Sequence, residues 1–172
     1  WISKLDYSKT PYRIYGQVLS QSSDSDFIKD ILMGKPLPHD IQTLEISSPV
    51  LVSCTGAWAR QFAEVLNLKI NSFPVRRQVC LFECKGLDLS PYGMFVDSSG
   101  VYFHSEANNI LSGYANADEP SGYYFDYDGE AFFEKYIWSS LYERSTCFEK
   151  LKHITGWAGL YEVSADKSAI IG

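Results

Sequence analysis

Residues 156–172 limit the possible folds more than any other part of the chain. The run reads Gly156-Trp157-Ala158-Gly159-Leu160-Tyr161, then a polar stretch around Asp166, then Ala169-Ile170-Ile171-Gly172. Glycines beside large aromatics let a backbone pass close to something flat or bulky, because they carry no Cβ to hold it away. A turn centred near Asp166 separates the aromatic stretch from a short apolar strand that runs to the last residue. On residue order alone the same run also fits a plain hairpin that packs one tryptophan into a core. Either way the aromatic strand needs a sheet, which the upstream residues must supply.

They do so in a recognisable order. Val79-Cys80-Leu81-Phe82 is apolar on both faces and reads as a central strand, entered through Phe73-Pro74, where proline costs no ladder bond. Arg76-Arg77 within it reads as a surface basic pair. Residues 93–104 form a hairpin with Asp97-Ser98-Ser99-Gly100 as its turn. A second turn over 105–109 leads to a strand at 110–114. Strands joined by such short turns make an antiparallel meander. Asp128 is placed to cap a helix running to about Tyr142, with Phe132, Phe133, Tyr136, Ile137 and Leu141 as its apolar stripe. Ser145 opens one more short helical turn, and the chain returns as strand from Leu151. The spacing predicts an α+β fold: a mixed, largely antiparallel sheet over 75–83, 94–97, 101–104, 110–114 and 154–161, covered by helices at 56–66 and 129–142.

The first third says less. Residues 1–10 read as polar and turn-like, 12–19 as a strand and 20–25 as a loop. Ser25 or Asp26 is an N-cap candidate for a short helix over 27–33, ended by Gly34 and Pro36, with loop to Asp40. Val50-Leu51-Val52 then reads as a buried strand. From Gly56 the period changes: Trp58, Phe62, Val65 and Leu66 share one helical face, and Thr55 can cap it. A strand that turns sharply into a helix places the helix N-terminus at the edge where open α/β sheets bind ligands.

Composition excludes several functions. The net charge is -6 with no Lys/Arg-rich run, so nucleic acid is not an expected partner. No apolar run is long enough to span a membrane, and no signal-peptide pattern opens the chain. Its 172 residues, 45% apolar, can bury a core without staples. Cys54, Cys80, Cys84 and Cys147 form no C-x-x-C, and His39, His104 and His153 are scattered, so no metal site is expected. Cys80 and Cys84 face the same side of one strand. Buried free thiols point to a reducing, cytoplasmic compartment.

Three of these segments resemble stretches of the D-amino-acid oxidase superfamily of FAD-dependent oxidoreductases, the group that holds glycine oxidase, sarcosine oxidase and dimethylglycine dehydrogenase. Residues 50–59 are similar to its second flavin-domain signature. Residues 157–172 are similar to the segment leading from the substrate pocket back to the flavin. The stretch at 97–114 is similar to the family's pocket-lining strand. The resemblance covers residues from about 48 to 172 and implies FAD as cofactor. Ser53, Cys54, Thr55, Gly56, Ala57 and Trp58 would lie on the flavin side, with Trp157 and Gly159 bringing backbone near the ring. Tyr161, Tyr102 and His104 would line the substrate pocket as the catalytic group. Tyr161 stands where glycine and D-amino-acid oxidases place an arginine and sarcosine oxidases a tyrosine. That shifts the implied substrate towards secondary amines or N-methyl amino acids. Gly159 stands where some of those enzymes tether the flavin through cysteine, so no such bond is expected here.

The resemblance also implies a division: 1–48 unassigned, 49–70 a flavin-side βα unit, 71–155 the substrate domain, 156–172 a return segment. No G-x-G-x-x-G occurs, so the chain reads as the middle of a longer flavoprotein whose other half holds the FAD phosphates. Alone it is expected to fold, to bind FAD weakly and to be inactive, and it could form a homodimer covering Trp58 and Trp157. Two rival readings are a cofactor-less ligand-binding or scaffold domain, and a fragment of the flavin domain of a tRNA-modifying enzyme.

Overall fold

The structure, a computed structural model, describes residues 2–8, 11–17, 26, 30, 31, 35 and 43–171. The expected loops at 20–25 and 36–40, the end of the strand at 18–19 and most of the helix at 27–33 lie outside them. Asp30 and Ile31 are helical. The chain forms two compact units. One comprises Trp1–Val75, Ser121–Tyr123 and Tyr161–Gly172; the other comprises Arg76–Pro120 and Tyr124–Leu160.

In the first unit, β1 (Ile2–Asp6), β2 (Tyr12–Gln17) and β3 (Thr43–Ser48) form an antiparallel sheet in that order. Ile14 pairs with Leu5 on one side and Ile46 on the other. The turn-like reading of residues 1–10 is thereby corrected. Polar residues alternate with Ile2 and Leu5 too loosely to show a period, and pairing with β2 imposes the extended form. After β3 a turn of 3-10 helix, Gly56–Trp58, passes into α1 (Ala59–Val65). Ala57 and Ala63 are its buried positions.

The predicted meander forms most of a five-stranded sheet. Its strands are β4 (Ser72–Cys84), β5 (Phe95–Val96), β6 (Val101–Glu106), β7 (Asn109–Tyr114) and β8 (Leu151–Ser164), in the order β5-β6-β7-β4-β8. The β4–β7, β5–β6 and β6–β7 pairs are antiparallel. The β5–β6 turn uses the expected residues: Gly100 has φ 90, its N–H donates to Asp97 O at 2.9 Å, and Ser99 N donates to Asp97 Oδ2 at 2.7 Å. β4 and β8 each pass from one unit into the other, β4 after Val75 and β8 after Leu160.

A helix over 130–142, α2, covers the sheet in the second unit. It begins as α-helix at Glu130–Phe132, widens to a π-helical stretch at Phe133–Trp138 and closes as α-helix at Ser139–Tyr142. Its stripe joins Phe132, Phe133, Ile137 and Leu141 to Cys80, Phe82, Val101, Phe103 and Ile110 in one buried cluster. Each large side chain moved from water into such a core contributes roughly 1.5–3 kcal/mol. A further 3-10 turn, Thr146–Phe148, starts at Ser145 as expected and inserts Phe148 into the same cluster.

Candidate functional site

In the first unit, residues 49–55 run on from β3 without a sheet neighbour among the described residues, and Val50 and Val52 are 67% and 76% exposed. The expected buried strand at 50–52 is corrected accordingly: an apolar run becomes a strand only where another strand accepts its backbone bonds. Gly56 takes φ +53, a left-handed conformation that glycine adopts without strain, and a Cβ there would stand 3.3 Å from Glu162 Oε2. Thr55 sits at the cap position but does not cap with its side chain, which corrects that expectation as well. Its hydroxyl is 3.1 Å from Ser53 Oγ, and its carbonyl accepts from Trp58 N at 3.0 Å, closing the tighter 3-10 turn.

Ser53, Cys54 and Gly56 are exposed, Ala57 is buried and Trp58 is partly buried. The Trp58 ring stacks on Tyr123, with centroids 5.7 Å apart and planes 20° from parallel. The Tyr123 hydroxyl donates to Ala57 O at 3.5 Å. Burial, and secondarily the Glu64 carboxylate, push the Tyr123 phenol upward, which keeps it a neutral donor. Tyr161 is 59% exposed. The turn near Asp166 is present, Asp166 Oδ1 accepting from Ser164 Oγ at 2.9 Å and from Ser168 N at 3.1 Å. The strand expected after it is not formed: Ile170 and Ile171 are exposed and have no sheet neighbour among the described residues.

In the second unit, Tyr102 and His104 share the face of β6 opposite the core, as the period of two requires. Tyr102 lies across its pairing partner Gly113, where any Cβ would run into the ring. His104 Nδ1 is 2.8 Å from Ser105 O, and the imidazole lines an open groove with Ser90, Tyr92 and Met94 that Tyr102 does not reach. Trp157 is 51% exposed, and a Cβ on Gly159 would meet nothing within 4 Å.

Sequence reasoning missed a polar pocket of about 230 Å³ in this unit, lined by Arg76, Gln78, Tyr114, Glu119, Asp128 and Tyr136 among others. Arg76 is not a surface residue; its side chain is 15% exposed. Its Nε donates to Glu119 Oε1 at 2.5 Å, and its two terminal nitrogens grip Asp128 at 3.0 and 3.1 Å. Gln78 donates to Asp128 Oδ2 and accepts from Asp128 N, both at 2.8 Å. Asp128 therefore does not cap α2. The cap position belongs to Gly129 at φ 68, because a forked guanidinium outcompetes the local backbone for the carboxylate. The Arg76 bonds, ahead of those from Gln78, hold the Asp128 carboxyl below its usual range. The signal in the sequence was Arg76 and Gln78 two apart, which puts both on one face of the strand.

Beside it, the Tyr127 hydroxyl is 2.8 Å from His153 Nε2, and the Tyr127 ring lies against Gly156, where a Cβ would collide with it. Cys80 and Cys84 share one side of β4, as their spacing predicted, and that side is buried; burial pushes the Cys80 thiol up to about 12. All four cysteines are free.

Residues 35–172 match the family model described as DAO, FAD dependent oxidoreductase. The chain is 27% identical over 157 residues to FAD-dependent oxidoreductase domain-containing protein 1 of Xenopus laevis, covering 79% of this chain and 30% of that one. The Bos taurus counterpart is 28% identical over the same length, covering 31% of its own. The chain thus spans about 30% of the length of these curated relatives. Its fold is similar to glycine oxidase from Geobacillus kaustophilus, with a TM-score of 0.69 at 11% identity over 100% of this chain and 38% of that one. It is also similar to L-proline dehydrogenase from P. horikoshii, with a TM-score of 0.63 at 20% identity over 77% and 36%.

Proposed function

The chain belongs to the FAD-dependent oxidoreductase family matched by residues 35–172, and on that premise we propose that it is the substrate-side part of an enzyme that oxidises the C–N bond of an amine or N-alkyl amino acid. The family match carries this reading. FAD is the cofactor; when bound, it accepts a hydride equivalent from the carbon beside the amine nitrogen. The residues present suit one part of such a group. The left-handed turn at Gly56 offers exposed backbone to a flat ring system, and separately a Cβ on Gly159 would meet nothing within 4 Å. Ser53, Cys54, Thr55, Ala57 and Trp58 belong to the cofactor-facing turn in this reading, with Trp157 on the return segment. The stack of Tyr123 on Trp58 and the hydrogen bond to Ala57 O brace that turn.

On the substrate side the reading assigns Tyr161, Tyr102 and His104. A phenol at 161 cannot clamp a carboxylate with two parallel charge-assisted bonds, as a guanidinium does. With tyrosine at 161, the residue that the resemblance gives sarcosine oxidases at that place, the reading takes secondary amines, including N-methyl amino acids, as the preferred substrate class. Anaerobic mixing of the intact protein with N-methyl and primary amino acids, followed by flavin absorbance, tests this. N-methyl substrates should bleach the flavin faster. A flavin left oxidised by every amine tried would refute the assignment. Tyr161→Phe should lower kcat/KM by about tenfold, the equivalent of one hydrogen bond, while leaving Tm nearly unchanged.

A further inference from the structure

We propose that Cys84 and Cys147 are a paired thiol modification site that closes to a reversible disulfide on exposure to hydroperoxides. Cys84 is the last residue of β4, and its thiol donates to the carbonyl oxygen of Cys147 at 3.2 Å. Cys147 lies in the 3-10 turn Thr146–Phe148 and is exposed, whereas Cys84 is buried in the core cluster. The turn is fixed on both sides. Ser145 Oγ accepts from Cys147 N at 3.4 Å, and Phe148 inserts into the same cluster as Cys84. Bond lengths from sulfur to Cα and from carbonyl oxygen to Cα then keep the two Cα atoms within about 8 Å, and closer along any bent path. Disulfides join Cα atoms roughly 4.4–6.8 Å apart. The proposal requires only that the exposed Cys147 side chain rotate towards Cys84, whose thiol already touches the Cys147 backbone.

The two thiols have different roles. Burial, and next the neighbouring Cys147, push the Cys84 thiol upward, so it remains protonated and shielded. Cys147 meets the oxidant. Its thiolate sulfur attacks a peroxide oxygen and the O–O bond breaks. A sulfenic acid forms, and the departing oxygen takes a proton to leave as water or alcohol. The Cys84 sulfur then attacks the sulfenic sulfur. The S–S bond forms, the S–O bond breaks, and the Cys84 proton leaves with the hydroxyl as water. Two thiols are oxidised and one peroxide is reduced by two electrons. Cys80 is fully buried, and Cys54 belongs to the other unit. The proposal is independent of the flavin reading above.

The test treats the reduced, full-length protein with a small molar excess of hydrogen peroxide, alkylates free thiols, and maps peptides without reduction. The expected product is a peptide linking Cys84 to Cys147, lighter than its two parts by two hydrogens and released by dithiothreitol. Cys84→Ser should leave Cys147 as a sulfenic acid that dimedone traps. Cys147→Ser, altered only at an exposed side chain, should leave Cys84 fully alkylatable after denaturation. Oxidation of Cys147 to sulfinic acid while Cys84 stays a free thiol would overturn the proposal, as would a dominant linkage between any other pair.

Discussion

Arg76 holds two carboxylates and a backbone carbonyl at once: Glu119, Asp128 and Asp126 O. Glu119 is itself 9% exposed, so removing the guanidinium strands a charge with little water to solvate it. Arg76→Ala should destabilise the protein by about 3 kcal/mol, and Arg76→Lys should recover only part, because an ammonium cannot form the fork on Asp128. Urea denaturation of the three proteins measures both. The acid limb carries a second signature. Asp128 is depressed from 3.8, chiefly by Arg76, so its contribution is present above 3.8 and is lost as pH falls through the lower folded value. Denaturation followed from pH 6 to below the ordinary carboxylate range should show that loss in the wild type and a flatter limb in Arg76→Ala. The sequence showed only that Arg76 and Gln78 share a strand face, not what they hold. The partners lie 43 and 52 positions away, and Asp128 already had a local role on offer as a helix cap.

Among the elements, legibility followed the range of the interactions. The β5–β6–β7 meander could be read because its turns are built locally, by Asp97 and Gly100, and the apolar stripe of α2 because its period is internal. β3 could not, because its partner β2 lies far upstream, and β1 could not, although β2 follows it closely, because its own residues show no period. Residues 50–52 and 170–171 misled in the opposite direction, being apolar enough for strands but lacking a neighbour to pair with. Glycine in β8 was legible as a place of close approach, and the approaching group is now identified. The Tyr127 ring lies on Gly156 and reaches His153 from there. A methyl at 156 must displace a ring that also packs edge-on against Phe132 at 6.1 Å. Gly156→Ala should therefore cost about 1–3 kcal/mol. Gly159→Ala, in open space on the same strand, should cost far less. Thermal denaturation of the pair separates the two cases, and equal losses would show that Tyr127 is not the obstacle.

At the scale of the whole molecule, the proposed reading gives this chain backbone contacts to the flavin ring and leaves the FAD phosphates to residues outside it. Val50, Val52, Ile170 and Ile171, all in the first unit, are exposed apolar side chains on segments with no described sheet neighbour. The turn at Gly56 leads into a helix of only seven residues, and no G-x-G-x-x-G is present to cradle a pyrophosphate. Backbone amides gathered at a glycine-rich turn are what neutralise two adjacent phosphates, and a flavin ring resting on a few backbone contacts does not replace them. The isolated 172-residue chain should accordingly purify colourless and leave the fluorescence of micromolar FAD unchanged on titration. Its uncovered apolar residues should also drive self-association that grows with concentration, seen as a rising weight-average mass in sedimentation equilibrium. A yellow protein, or stoichiometric quenching of micromolar FAD, would mean that these residues hold the cofactor unaided and that the division of labour proposed for the family's two halves does not apply to this chain.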